Sequence, residues 1–100
     1  RTLLEAERRR FGGTVHGREA PFLLGRLAEE EGRGALALQW YDRYVAEQPS
    51  GTFAMDALAR KLDLLQKRGD DRGARHAAAL YLARFPGGPH AQKARDLVNR

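Results

Sequence analysis

Apolar residues recur along this chain at the spacing of one helix face. Ala20, Leu23, Leu24, Leu27 and Ala28 follow i, i+3, i+4, i+7 and i+8, the order that lines up side chains on a helix of 3.6 residues per turn. Ala37, Trp40, Tyr41, Tyr44 and Val45 repeat that order. So do Ala54, Ala57, Leu58, Leu62 and Leu65, interrupted by Lys61, and Ala74, Ala77, Ala78, Tyr81, Leu82 and Phe85. Ala91, Ala94 and Val98 begin it once more. No stretch alternates with the period of two that a half-buried strand needs. The pattern therefore predicts at least five helices and no sheet.

The breaks fall between these stretches, at Gly12-Gly13, Gly32-Arg33-Gly34, Pro49-Ser50-Gly51, Gly69-Asp70-Asp71 and Pro86-Gly87-Gly88-Pro89. Glycine accepts the left-handed conformation that ends helices, and proline cannot continue one. Thr2 with Glu5 makes a capping box for an N-terminal helix whose apolar stripe is thin (Leu4, Phe11). Ser50 or Thr52 can cap the helix that carries Ala54, Asp70 or Asp71 can cap the one that carries Ala74, and Pro89 suits the first turn of the last.

The chain also repeats itself at an offset of 37. Gly32 pairs with Gly69, Ala37 with Ala74, Tyr44 with Tyr81, Ala46 with Ala83, Pro49 with Pro86, Gly51 with Gly88, Ala54 with Ala91 and Ala57 with Ala94. Ala20 is a third copy of the last pair. The unit is helix, short turn, helix, proline-containing turn. Ala37 and Ala74 are predicted at equivalent tight crossings between the two helices of a unit, and Tyr44 and Tyr81 in equivalent sites between units.

This pattern resembles the tetratricopeptide repeat, a helix–turn–helix of about 34 residues. In the first unit Leu24-Gly25 resembles the family's Leu-Gly pair, Ala37 its small residue at the helix crossing, Tyr41 its aromatic and Pro49 its closing proline. In the second, Ala74, Tyr81 and Pro86 match, but Lys61-Leu62 replaces Leu-Gly and Ala78 replaces the aromatic. The resemblance implies an all-α fold, antiparallel hairpins stacked as a short right-handed superhelix. Its parts would be an N-terminal helix and Gly-rich turn over 1–16 (a degenerate partial repeat), repeats over 17–53 and 54–88, and a capping helix over 89–100. The ending Tyr81-Leu82-Ala83-Arg84-Phe85-Pro86-Gly87-Gly88, followed by Ala91 and Ala94, is similar to repeats of periplasmic and outer-membrane-assembly proteins of Gram-negative bacteria. That likeness implies the periplasm or cell envelope, with the cytoplasm as the alternative.

In the tetratricopeptide family the first helix of each unit lines a concave face that binds another protein. By position this implies a groove of Glu19, Phe22, Arg26, Glu29 and Glu30 from the first unit. Asp56, Ala59, Asp63, Gln66 and Lys67 come from the second, and Lys93, Asp96 and Arg100 from the last helix. Phe22 falls beside the apolar stripe, so its ring should be only partly covered. The offset sets Arg26 against Asp63 and Glu30 against Lys67. That set holds six acids and four bases, although the chain as a whole is basic at +5. Much of the excess charge must therefore lie on the second helices, the turns and the N-terminal segment. A mixed groove suits a protein or peptide segment better than a polyanion. Nucleic-acid binding or self-association into a homo-oligomer is the alternative, and a nucleic-acid binder would need a continuous basic track with stacking aromatics.

The remaining chemistry is sparse. The absence of cysteine excludes disulfides, thiol catalysis and Cys-based metal sites. His16, His76 and His90 fall in a loop, a helix and a turn, with no paired spacing for a metal. Ser50, the only serine, lacks any nucleophile signature. Phe11-Gly12-Gly13-Thr14-Val15-His16-Gly17 lacks the Lys-Ser/Thr ending of a phosphate loop and reads as a turn between helices. Glu29-Glu30-Glu31 and Asp70-Asp71 lack calcium-loop spacing and read as a solvated helix end and a cap. Arg8-Arg9-Arg10 suits a helix C-terminus, with a phosphate contact as the other use. The chain is accordingly read as a non-enzyme without cofactor or metal. No run is apolar enough to span a membrane. Because the sequence starts at Arg1, it is read as part of a longer protein.

Overall fold

A computed structural model describes residues 15–100. The Thr2–Glu5 capping box, Leu4, Phe11, the arginine run and Gly12-Gly13 lie outside the described residues. Among the described residues all regular structure is helical. The helices are α1 (Val15–Glu30), α2 (Gly34–Glu47), α3 (Ala54–Lys67), α4 (Asp71–Arg84) and α5 (Ala91–Val98). None is long and apolar enough to cross a membrane. The chain divides into two compact units, 1–54 and 55–100. In the first, α1 packs on α2; in the second, α4 packs on α5.

The offset of 37 reappears in the backbone. Gly32 and Gly69 close α1 and α3 with φ of 74° and 76°, a conformation that glycine adopts without a Cβ penalty. The next residue reaches back in the Schellman pattern, Arg33 N–H to the Ala28 carbonyl at 2.8 Å and Asp70 N–H to the Leu65 carbonyl at 2.9 Å. The ends of α2 and α4 match as well. Gln48 has φ −132° and ψ 64°, and Phe85 has φ −133° and ψ 62°. Each donates its N–H back to the tyrosine carbonyl, Tyr44 or Tyr81, at 2.7 Å. Pro49 and Pro86 then stop the helix.

The two tyrosines brace the turn that follows. The Tyr44 hydroxyl accepts the Phe53 N–H at 3.0 Å, and the Tyr81 hydroxyl accepts the His90 N–H at 3.1 Å. Gly51 and Gly88 lie directly against those hydroxyls, where a Cβ would collide. Tyr44 and Tyr81 thus do hold equivalent positions, and their hydroxyls act on the connection inside each unit. Ala37 and Ala74 are both fully buried, as the crossings predict.

The structure corrects the sequence reading in several places. Helix α1 starts at Val15, so His16 belongs to a helix and not to a loop. Gly17 is buried within α1, at the position held by Ala54 and Ala91, and does not lie in a turn. The covered stripe of α1 is Gly17, Pro21, Leu24, Gly25 and Ala28, with Ala20 and Phe22 beside it; Leu23 and Leu27 are half-buried at its margin. On α3, Leu64 is buried and Leu65 half-buried. Helix α5 begins at Ala91 with His90 as its N-cap, so Pro89 precedes the helix. Of the two predicted caps for α4, Asp70 serves: its carboxylate accepts the Gly73 N–H at 2.9 Å.

Candidate functional site

The predicted site residues begin on α1. Glu19, Arg26 and Glu29 are half-buried and Glu30 is exposed. Phe22 is the exception, with 1% of its surface exposed. It stacks on Phe53 with centroids 4.4 Å apart and planes at 3°, and meets Tyr41 and Tyr44 at 5.8 Å each. A ring enclosed by three others cannot contact a partner, so Phe22 is withdrawn from the binding face and assigned to the core. Its position off the main stripe misled because α2 and the turn to α3 supply rings that reach around to it.

Glu29 is tied to the scaffold. Its carboxylate accepts the hydroxyl of Tyr41, whose ring is fully buried. Tyr41 lies flat against Gly25, where an added Cβ would sit 2.7 Å from the ring Cδ1. This explains the Leu24-Gly25 pair: the glycine admits the ring, and the ring carries the hydroxyl to Glu29. On the same helix Leu23, Arg26, Leu27 and Glu30 line an open recess of about 340 Å³.

In the second unit Asp56, Asp63 and Gln66 are half-buried, Lys67 is exposed, and Ala59 is buried at the position equivalent to Phe22. Asp63 forms an ion pair with Lys93 of α5, which places two predicted site residues side by side. Asp56 pairs with Arg60 one turn on, at 3.5 Å. Asp96 accepts from the Gln92 amide at 2.9 Å, and Arg100 is exposed at the chain end. The offset matched Asp63 with Arg26; the Lys93 partner depends on how α5 lies against its own unit, which a periodicity does not encode.

Trp40 lies at the margin of the buried stripe, half-buried, with the Arg43 guanidinium 5.5 Å from its ring centroid. Its indole N–H is enclosed without a hydrogen-bond partner among the described residues. Leu36, Gln39, Trp40 and Arg43 border a recess of about 160 Å³ on α2. Among the described residues no three His, Asp or Glu side chains converge as a metal site would require.

Charge is divided unevenly. Residues 55–100 carry ten Lys and Arg against five Asp and Glu, and residues 1–54 carry eight of each. The whole formal +5 therefore belongs to the second unit. The chain matches no family model, no curated protein and no solved structure.

Proposed function

We propose that this chain is a tetratricopeptide-like interaction module that binds a protein or peptide segment through exposed and half-buried side chains of its first helices, α1 and α3, in a larger protein of the bacterial cell envelope. The observation that carries this reading is the repeated turn-and-brace geometry at the 37-residue offset. Tyr44 with Gly51 and Tyr81 with Gly88 build the same connection twice. Such units share a core with neighbours and present first-helix side chains as a surface. The polar residues on those helices mix both signs: Glu19, Arg26 and Glu30 on α1, and Asp56, Asp63 and Lys67 on α3, with Lys93 beside Asp63. Charges of both signs at exposed and half-buried positions suit the mixed polar surface of a peptide.

The test is a pull-down with the full-length protein as bait, followed by titration of the captured partner. Arg26→Glu with Lys67→Glu should leave helicity by circular dichroism unchanged and weaken the partner at least about tenfold, since charge reversal at a rim acts on binding and little on the fold. A folded double variant with full affinity would remove the binding site from these faces.

A further inference from the structure

We infer that the second unit carries another docking surface, formed by Arg68, Arg72, Arg75 and His76, and that it takes a short acidic protein segment. This goes beyond the first-helix faces, because these residues lie in the α3–α4 turn and on the exposed stripe of α4.

The inference starts from unmatched charge. Four of the five acids of this unit are engaged: Asp56 with Arg60, Asp63 with Lys93, Asp96 with Gln92, and Asp70 in capping Gly73; Asp71, exposed in the first turn of α4, offsets only part of the positive charge around it. Arg68, Arg72 and Arg75 are exposed, and none forms an ion pair among the described residues. In the first unit the equivalent positions are Glu31, Ala35, Leu38 and Gln39. There, Arg33 pairs with Glu31 and Arg43 with Glu47. The repeat framework thus needs no cations at these places.

Stability does not call for Arg72 either. Arg72 lies in the first turn of α4, where the helix dipole is positive and an anion is preferred. Arg84, by contrast, sits in the last turn, where the dipole accounts for it, and it is left out of the surface. Arg72, set against the dipole, and Arg75 on the same exposed stripe, with Arg68 in the turn before them, form a surface that an external anion completes.

The composition of the patch selects the anion. Ala79 and Ala83 continue the exposed stripe, and its one ring is the His76 imidazole, so it offers no run of aromatics on which successive bases could stack. Val98, on α5, is the one large exposed hydrophobic residue among those described, so the exposed stripe of α4 carries no large apolar side chain to enter a lipid surface. From Arg72 to Arg75 the helix advances only about 4.5 Å. That span engages a few anions, short of the roughly six to ten phosphate contacts that make duplex binding strong. A guanidinium pairs with a carboxylate through two parallel hydrogen bonds, so a few arginines suffice for a short Glu- or Asp-rich stretch.

The experiment titrates the full chain into a dye-labelled peptide of alternating Glu and Ala and follows anisotropy. Arg72→Glu with Arg75→Glu should weaken the peptide at least about tenfold. Arg72→Lys with Arg75→Lys should fall between this variant and the parent. The Glu variant places acids at the start of α4, which the dipole favours, so it should melt no lower than the parent; Arg72→Gln with Arg75→Gln serves as a second check. Arg84→Gln removes an exposed cation of the same helix that lies outside the surface, and it should leave the peptide affinity unchanged. Equal affinity of the parent and both charge-removing variants overturns the inference. Tighter binding of duplex DNA or of phosphatidylserine vesicles at the same ionic strength overturns the acidic segment as occupant.

Discussion

The two units have the same backbone frame and fill it differently. The first is built on rings: Phe22, Tyr41, Tyr44 and Phe53 form one cluster, with Gly25 hollowed out to admit Tyr41. At the same offsets the second has Ala59, Ala78, Tyr81 and His90, with Leu62 in the place of Gly25. Only the tyrosine that braces the turn is common to both. The swap at two positions is complementary. Glycine with tyrosine becomes leucine with alanine, and all four are buried. Volume at the helix crossing is thus redistributed between partners, which is how cores tolerate change when total volume is kept. The comparison separates what the repeat requires (the glycine turn, the tyrosine brace, the small residues at 37 and 74) from what each unit settles for itself.

The largest way to break this comparison is Phe22→Ala. It gives the first unit the residue that the second already has, but leaves Tyr41, Tyr44 and Phe53 around a cavity. Truncating an enclosed ring costs about 3–5 kcal/mol, a large part of the roughly 5–15 kcal/mol that holds a typical domain together. Thermal melting should show it plainly. A parent-like melt would mean that the ring cluster is not what holds the first unit.

The next test installs one unit's solution in the other. Gly25→Leu drives a side chain into the Tyr41 ring, whose Cδ1 lies 2.7 Å from the nearest position a Cβ can take; overpacking of this kind costs about 1–3 kcal/mol. Tyr41→Ala relieves it and reproduces the Leu62 and Ala78 arrangement. The double variant should therefore be more stable than the two single losses add up to, by roughly 0.5–3 kcal/mol of coupling. Strict additivity in urea unfolding would show that the swap is not a packing exchange.

Where the units agree, the effects should agree. Tyr44→Phe and Tyr81→Phe each remove the acceptor of one backbone N–H, from Phe53 and His90 respectively. Each should cost about 1 kcal/mol. Unequal losses by more than about 0.5 kcal/mol would sharpen the comparison, by showing that Phe53 and His90 hold their turns in different ways.

How much of this was legible in sequence follows the same division. The helices, the turns and the 37-residue unit could be read because glycine, proline and alanine mark them by necessity: a left-handed residue, a missing N–H, a tight crossing. The capping role of Asp70 could be narrowed to two residues on the same grounds. Phe22 could not be placed correctly. Periodicity locates a helix face, but the rings that enclose Phe22 come from Tyr41, Tyr44 and Phe53 on other elements. The pairing of Asp63 with Lys93 was hidden for the same reason, since both residues were expected on the binding face but the offset linked Asp63 to Arg26. The Gly25 and Tyr41 exchange was visible as two departures from the family pattern. Only the distance between them shows that they are one change.

The smallest effect concerns a second linked pair, at the start of α2 and α4. Asp70 caps α4 by accepting the Gly73 N–H at 2.9 Å, whereas Arg33 at the same place before α2 makes no side-chain cap. The residue matching Gly73 is Leu36. The difference is again paired, because a Cβ at position 73 would lie 2.8 Å from the Asp70 Cγ. Glycine inside a helix ordinarily gives way to alanine with a gain of about 0.8–1 kcal/mol. Here the alanine would push the Asp70 carboxylate aside and forfeit a cap whose loss costs typically about 1 kcal/mol. The two terms oppose, so Gly73→Ala should change stability by less than about 0.5 kcal/mol. Asp70→Ala alone should lose about 1 kcal/mol. In that background Gly73→Ala has no carboxylate to displace, and its gain should return to nearly the full helix-propensity value of about 1 kcal/mol. Urea unfolding of the four variants measures this directly. A gain from Gly73→Ala that is the same with and without Asp70 would show that the cap and the glycine are independent. The contrast with Arg33 and Leu36 would then rest on composition and not on geometry.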